Sequence, residues 1–237
     1  MSKVKDIILT NSVKTDAFNF LENVNIYHFP MINIKTKKIK PFNLFDFDYY
    51  IFTSQNSVDS FFDYPFVGVQ YEKKINAISC GEKTEQKLRQ LGVTVSFSSS
   101  SSYSADLVAD LKKQSFIKGS KLAFISGNLS DFSIFESLKS FTEITRIEIY
   151  ETIKNTYYDK SLDQVLKKGN SISVFASPSS FDAFISLYGS FKTDIYSIGN
   201  TTSSYIKSKG FDVITSKEQT FEGVAKEILN NYIKDEF

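Results

Sequence analysis

The chain has 237 residues, 41% hydrophobic and 23% charged, which suits one large domain or two small ones with sizeable cores. Lys and Arg number 28 against 27 Asp and Glu, so no global field draws the protein to nucleic acid or to an anionic membrane. Cys80 is the only cysteine, which excludes an intrachain disulfide, and no apolar run reaches the length of a membrane span.

In chain order, Asp6–Thr10 is a short apolar strand, and Lys14–Leu21 reads as a helix with Phe18 and Leu21 on one face. Asn25–Phe29 is a second strand, punctuated by Pro30, and Met31–Ile34 alternates as a half-exposed strand does. Tyr49–Thr53 is apolar and aromatic, as a buried parallel strand is. Ser57–Phe62 is helical in pattern, and Tyr64–Pro65 starts a loop. Ile75–Ser79, Val93–Phe97, Lys121–Ile125 and Ile144–Tyr150 are further strands. Helices fill the gaps near Thr84–Leu91, Ala105–Lys112 and Phe132–Phe141. The Ser98–Ser102 run reads as a flexible loop and Lys154–Lys160 as a polar connection. A last helix is expected near Phe221–Ile233. The 23 Phe read as compositional bias rather than function. Alternation of strand and helix throughout implies parallel α/β sheets.

Ile195–Val213 carries the strongest local signal. It reads as strand, Gly turn, helix, Gly turn and strand. Gly199 breaks the first strand, and Asn200, Thr201 and Thr202 offer N-cap chemistry. Gly210 stands where a helix C-terminus needs positive φ. Such a helix start presents free N–H groups to an anion. The stretch has an echo at Ile75–Val95, where Gly81, Thr84 and Gly92 match Gly199, Thr202 and Gly210. Upstream, Ile51–Phe62 matches Val174–Ile185, with Ser54 against Ser177. Downstream, Ser102–Leu111 resembles Glu218–Leu229, with Ser104 against Thr220. The offsets are 123, 118 and 116 residues, in one order, which points to an internal duplication. Asp6–Ser12 likewise sits where Lys121–Asn128 sits, and Phe29–Ile34 where Ile147–Thr152 sits.

These blocks together resemble the uroporphyrinogen-III synthase family. The match is carried by IFTSQNSV at Ile51–Val58, AISCGEKTEQKLRQLGV at Ala77–Val93 and YET at Tyr150–Thr152. It continues through FASPSSFDAF at Phe175–Phe184 and SIGNTTSSYIKSKGF at Ser197–Phe211, and closes with TFEG at Thr220–Gly223. It spans nearly the whole chain, although Asn56 stands where some members have Arg.

The resemblance implies two parallel-sheet α/β lobes, each flavodoxin-like, joined by a two-stranded linker near 31–36 and 150–155. Lobe 1 would be discontinuous, 1–33 with 155–237, and lobe 2 would be 36–150. The resemblance also implies the reaction. Hydroxymethylbilane, a linear tetrapyrrole with acetate and propionate groups, would lose water, invert its terminal ring through a spiro intermediate and close. No metal or organic cofactor is implied, and the sequence holds no H-x-x-H, C-x-x-C or P-loop motif.

Tyr150 matches the tyrosine proposed to assist departure of the hydroxyl. The substrate-binding set expected from the resemblance and the repeat is Ser54, Asn56, Gly81, Thr84, Ser104, Ser177, Ser179, Gly199, Thr201 and Thr202. Each has a plainer reading: Gly81 and Gly199 as turn residues, Thr84 and Thr202 as caps, Ser177–Pro178–Ser179 as a helix opener, Tyr150 as a packed linker side chain. The partners implied are the small-molecule substrate and, transiently, the preceding enzyme of the pathway, with no nucleic acid and no membrane. A monomer is expected, and a cytoplasmic location, the latter because MSKVKDIILTNS lacks the apolar core of a signal peptide. The rival reading is a non-catalytic two-lobed module that binds an anionic small molecule.

Overall fold

In this computed structural model, residues 5–65, 75–99, 104–189 and 191–233 are described. The first strands are β1 (Lys5–Leu9), β2 (Val24–His28), β3 (Ile32–Thr36) and β4 (Tyr49–Phe52). Helix α1 (Gln55–Phe62) precedes β5 (Asn76–Cys80), α2 (Glu82–Gln90) and β6 (Thr94–Ser99). Then come α3 (Ser104–Leu111), β7 (Lys121–Gly127), α4 (Ser133–Lys139) and the long β8 (Glu143–Lys154). The C-terminal part carries α5 (Lys160–Lys167), β9 (Ser171–Phe175), α6 (Pro178–Tyr188) and β10 (Asp194–Ser197). It ends with α7 (Asn200–Ser208), β11 (Ile214–Thr215) and α8 (Phe221–Ile228).

The chain divides into two compact units, Met1–Asn33 with Ile153–Phe237, and Ile34–Thr152. The first holds a five-stranded sheet in the order β11-β10-β9-β1-β2, every pair parallel. The six-stranded sheet runs β3-β8-β7-β4-β5-β6, and its pairs from β8 to β6 are parallel. With β3 set aside, the two orders correspond strand for strand. β4, β5, β6, β7 and β8 occupy the places of β9, β10, β11, β1 and β2. The duplication read in the sequence is therefore a duplication of sheet topology. Each order reverses direction once, between β4 and β7 in one sheet and between β9 and β1 in the other. Open α/β sheets bind ligands beyond the strand C-termini at that switch point.

The central strands are apolar because helices cover both faces. In β1, Ile8 faces a cluster with Phe175, Phe181, Phe184 and Ile206, while Ile7 and Leu9 face another with Val174, Tyr196, Val224 and Ile228. In β4 the alternation puts Tyr50 and Phe52 on one side and Ile51 on the other. Both unit boundaries fall inside strands: between Asn33 and Ile34 in β3, and between Thr152 and Ile153 in β8. The chain thus passes from unit to unit along two strands that neighbour each other in the sheet order.

Local expectations need correction in several places. Lys14–Leu21 is a succession of turns, not a helix. Asn19 N–H donates to Asp16 O and Leu21 N–H to Phe18 O, while the Thr15 hydroxyl takes the Ala17 N–H. Side chains that compete for backbone groups favour turns over helix. Phe18 and Leu21 are buried all the same, since a spacing of three serves a turn as well as a helix. Ser98 and Ser99 belong to β6 rather than to a loop, and residues 100–102 of that run lie outside the described residues. The second strand of the Ile195–Val213 stretch falls just beyond it, at Ile214–Thr215.

Helix α5 has no counterpart among the expected elements. Only Leu162, Val165 and Leu166 turn inward, so its apolar stripe is narrow in a polar stretch. Its start is fixed by Asp159, whose carboxylate accepts from Ser161 N–H at 2.7 Å and Leu162 N–H at 3.4 Å. The Ser161 hydroxyl, and next its N–H, hold the Asp159 carboxyl below the ordinary Asp range. A depressed pKa gives stability that is present above the unfolded value and lost as pH falls through the folded one. Asp159→Ala should cost about 1 kcal/mol at neutral pH. In urea unfolding, the gap between the variant and the parent should shrink on acidification below the Asp range.

Candidate functional site

At the switch point of the six-stranded sheet, β4 hands the chain to α1 through Ser54. The Ser54 hydroxyl accepts from Ser57 N–H at 3.1 Å, and Ser57 reciprocates toward the Ser54 backbone, forming a capping box. From the other side of the switch point, β8 brings Tyr150. The pairing of β7 with β8 slips at its end: Ser126 faces Glu148, but Gly127 faces Tyr150. One extra residue in β8 thus sets Tyr150 on the same side as Ile149, in one buried cluster. The Tyr150 hydroxyl lies 3.3 Å from Ser54 Oγ, and the side chain is almost wholly buried. The structure therefore brings together two hydroxyls that the sequence places 96 residues apart. Asn56 is exposed in the first turn of α1.

Gly81 ends β5 with φ 80, a left-handed conformation that favours glycine, and serves as the N-cap position of α2. Its N–H is already donated to Ser99 O. Thr84 is not a cap; it is the third residue of α2, buried, and no hydrogen bond caps the helix start from a side chain. Glu82 and Glu85 sit in this first turn and occupy the positive end of the helix dipole. The Ser98 hydroxyl, then Arg89, hold the Glu85 carboxyl below its ordinary range. Ser104 opens α3 beside Asp131, whose carboxyl is held low first by the Ser133 N–H and also by the Ser104 hydroxyl. Ser104 thus already faces a carboxylate.

The other unit repeats the capped form. Ser177 caps α6 by accepting from Ser180 N–H at 3.2 Å, with Pro178 in the first turn, and lies 3.0 Å from Ser179 Oγ. At α7 the N-cap position is Gly199, with no side-chain cap bond. Asn200, Thr201 and Thr202 are the first helical residues rather than caps; the first two are exposed and Thr202 is buried. Gly199 has φ −156, ordinary extended backbone, so its conformation does not require glycine. Beneath this start, the Ser197 hydroxyl is buried without a partner among the described residues.

Electrostatics separate these helix starts. α1, α6 and α7 have no acidic residue in the first turn. α2, α3, α4, α5 and α8 each have at least one. The open starts follow β4, β9 and β10, and β4 and β9 are counterparts in the two sheets. In each unit, a carboxylate would meet the least competition from acidic side chains at these starts. Two contributors are invisible in the sequence. Gly127 is seen only once Tyr150 is placed over it. Arg146 is seen only through its bonds to Ser126 Oγ, Gly127 O and Glu148, beneath the switch point. Among the described residues, no group of three or more His, Cys, Asp or Glu could hold a metal ion, and no helix is long and apolar enough to cross a membrane.

A family model described as uroporphyrinogen-III synthase HemD matches residues 22–226. No curated protein matches the chain. Among solved structures, uroporphyrinogen-III synthetase from Helicobacter pylori aligns with TM-score 0.68 at 18% identity, over 96% of this chain and 99% of that one. A mutant uroporphyrinogen III synthase from the extremely thermophilic bacterium Thermus thermophilus aligns with TM-score 0.62 at 11% identity, over 98% of this chain and 100% of that one. At these identities the structural likeness speaks for the fold, and the family model speaks for membership.

Proposed function

The chain belongs to the uroporphyrinogen-III synthase family, and we propose that it closes hydroxymethylbilane by holding the carboxylates at the starts of α1, α6 and α7 with Tyr150 at the departing hydroxyl. It is an enzyme of tetrapyrrole and haem biosynthesis. Hydroxymethylbilane also closes without an enzyme, to the isomer in which the last ring is not inverted. The protein's task is therefore conformational: to hold the chain ends in the geometry of the spiro closure while water departs. The observation that carries this reading is the contact of Tyr150 with Ser54, a buried phenol meeting a helix-start hydroxyl at a sheet switch point. Tyr150 can donate to the leaving oxygen, and Ser54 can orient the phenol.

The diffuse negative charge of the substrate is met by N–H groups rather than by a basic pocket, in keeping with a net charge of only +1. Ser177, Ser179, Gly199, Thr201 and Thr202 take this role in one unit, and Ser54 and Asn56 in the other. Gly81, Thr84 and Ser104 are weaker contributors because Glu82, Glu85 and Asp131 already stand beside them. We place the activity in the cytoplasm, in a monomer.

The deciding experiment supplies hydroxymethylbilane and separates the uroporphyrin isomers after oxidation. Predominance of the inverted isomer is expected. A mixture identical to the enzyme-free control would leave only the anion-binding module.

The charge argument has its own test. Thr201 is exposed in the first turn of α7. Thr201→Glu puts a carboxylate where the helix dipole welcomes it, so stability should hold or rise by about 0.3–1 kcal/mol. The same charge repels the substrate carboxylates, so KM should rise. An unchanged KM would remove α7 from the binding surface.

A further inference from the structure

In the six-stranded sheet, β7 lies between β8, which carries Tyr150, and β4, which leads to Ser54. Neighbouring strands are about 4.8 Å apart. For its hydroxyl to reach Ser54, the Tyr150 side chain must cross the end of the intervening strand. The residue it crosses is Gly127. A Cβ built on Gly127 would stand 2.4 Å from Cε2 and from Cζ of the Tyr150 ring, and 2.9 Å from Cδ2. These atoms belong to a rigid, buried ring, not to the end of a flexible chain. No small shift of the ring relieves a contact of that size. Gly127 is not among the residues with positive φ. Its own backbone would therefore accept another residue, and the demand for glycine comes from the ring above it.

The backbone at Gly127 is also held against yielding. Its N–H donates to Ser130 Oγ at 2.8 Å, and its carbonyl accepts from Arg146 Nη2 at 2.9 Å. Arg146 is fixed in turn by Ser126 Oγ at 2.9 Å, by Glu148 at 3.1 Å and by the Phe132 ring 4.0 Å away. The next residue, Asn128, donates its N–H to Tyr150 O at 3.2 Å, and its Oδ1 accepts from Thr152 N–H at 2.8 Å. The end of β7 is thus strapped to the segment of β8 that bears the tyrosine. The extra residue in β8 then aims the ring across Gly127 rather than along the strand.

We infer that Gly127 is the positioning residue for Tyr150, a side-chain-free shelf over which the phenol passes to reach Ser54. The kinetic consequence rests on the reading of Tyr150 as the group at the departing hydroxyl; the geometric one does not.

The test combines Gly127→Ala with two changes at the tyrosine. Gly127→Ala alone should lower kcat by about 10-fold, and by no more than Tyr150→Phe does, with KM nearly unchanged, since misplacement by about 1 Å can cost up to 10²-fold. In a Tyr150→Phe background the same change should cost less than about 2-fold, so the two changes should be coupled rather than additive. An equal loss of kcat in both backgrounds would overturn the inference, because Gly127 would then act without the phenol. Stability gives a readout independent of catalysis. Gly127→Ala should lower the urea midpoint of the parent but not that of Tyr150→Ala, which has no ring to strike. Equal midpoint shifts in the two backgrounds would overturn the shelf. If Gly127→Ala alone does not fold, recovery of folding in the Gly127→Ala/Tyr150→Ala double variant supports the shelf, and failure of the double variant where Tyr150→Ala alone folds overturns it. Full turnover by Tyr150→Phe would sink the catalytic reading of Tyr150, and the midpoint comparison alone would then decide the role of Gly127.

Discussion

Tyr150→Phe should turn hydroxymethylbilane over more slowly while binding product almost as well as the parent. The ring sits in a cluster with Phe52, Ile125 and Ile149, and Phe keeps those contacts. What is lost is the hydroxyl beside Ser54. General-acid assistance is worth about 10²–10⁴-fold where it is essential. The leaving group here departs from an electron-rich pyrrole and needs little help, so the expected loss is about 10²-fold or less. Single-turnover assay with isomer analysis checks it. The fraction of inverted isomer should stay high in whatever product forms, because conformational control rests on the backbone donors. A Phe variant at parental turnover would leave catalysis to those donors alone. A variant that makes product at parental rate but of the uninverted isomer would show that the phenol steers closure instead of departure.

Phe184→Ala should be the most destabilising of the simple truncations in the first unit. Phe184 is fully buried on α6, with ring centroids 5.2 Å from Phe175, 5.2 Å from Tyr188 and 4.8 Å from Phe191. Phe181 and Phe211 extend the group, and Phe191 stacks on Phe211 at 5.5 Å. Truncating such a ring leaves a cavity among rigid neighbours and should cost about 3–5 kcal/mol. Phe184→Leu keeps most of the volume and should cost markedly less. Urea unfolding of the two variants checks the order, and similar midpoints for Ala and parent would mean that the cluster collapses into the gap. By composition alone the 23 Phe look like bias. The cluster shows part of that usage serving as core.

Most of the fold is legible because parallel strands buried on both faces are short apolar runs, and those at Asp6, Tyr49, Lys121 and Val174 stand out. The repeat is legible because turn glycines and helix-start hydroxyls fall at nearly constant offsets. The turn at Lys14–Leu21 passes for a helix because a periodicity of three is common to both. α5 is hidden because three apolar residues on one face do not rise above a polar background. The site is less legible, for a different reason. Ser54, Ser177 and Tyr150 can be named from sequence, but Thr84 and Thr202 pass for caps. The caps in fact lie at Gly81 and Gly199, where no side chain makes the bond. Which helix starts are open to an anion depends on Glu82, Glu85 and Asp131, and these read in sequence as ordinary surface charges. The register slip that aims Tyr150 is a property of two paired strands, and no single stretch of sequence carries it.

The split first unit bears on how the protein is made. The Thr10 hydroxyl donates to Val174 O at 2.7 Å, across 164 residues of chain. β1 needs β9 on one side, and on the ribosome β9 does not yet exist when β1 and β2 emerge. At about 5–20 residues per second, the wait is roughly ten to thirty seconds. In that interval the continuous stretch Ile32–Lys154 holds every strand of the six-stranded sheet. Ile7, Ile8 and Leu9 meanwhile present an apolar strand with one edge unpaired, a template for pairing with another nascent chain. The exposed edge of β1 therefore lasts until β9 is made, and pulse proteolysis of arrested nascent chains should find Ile34–Thr152 protected before the N-terminal strands are.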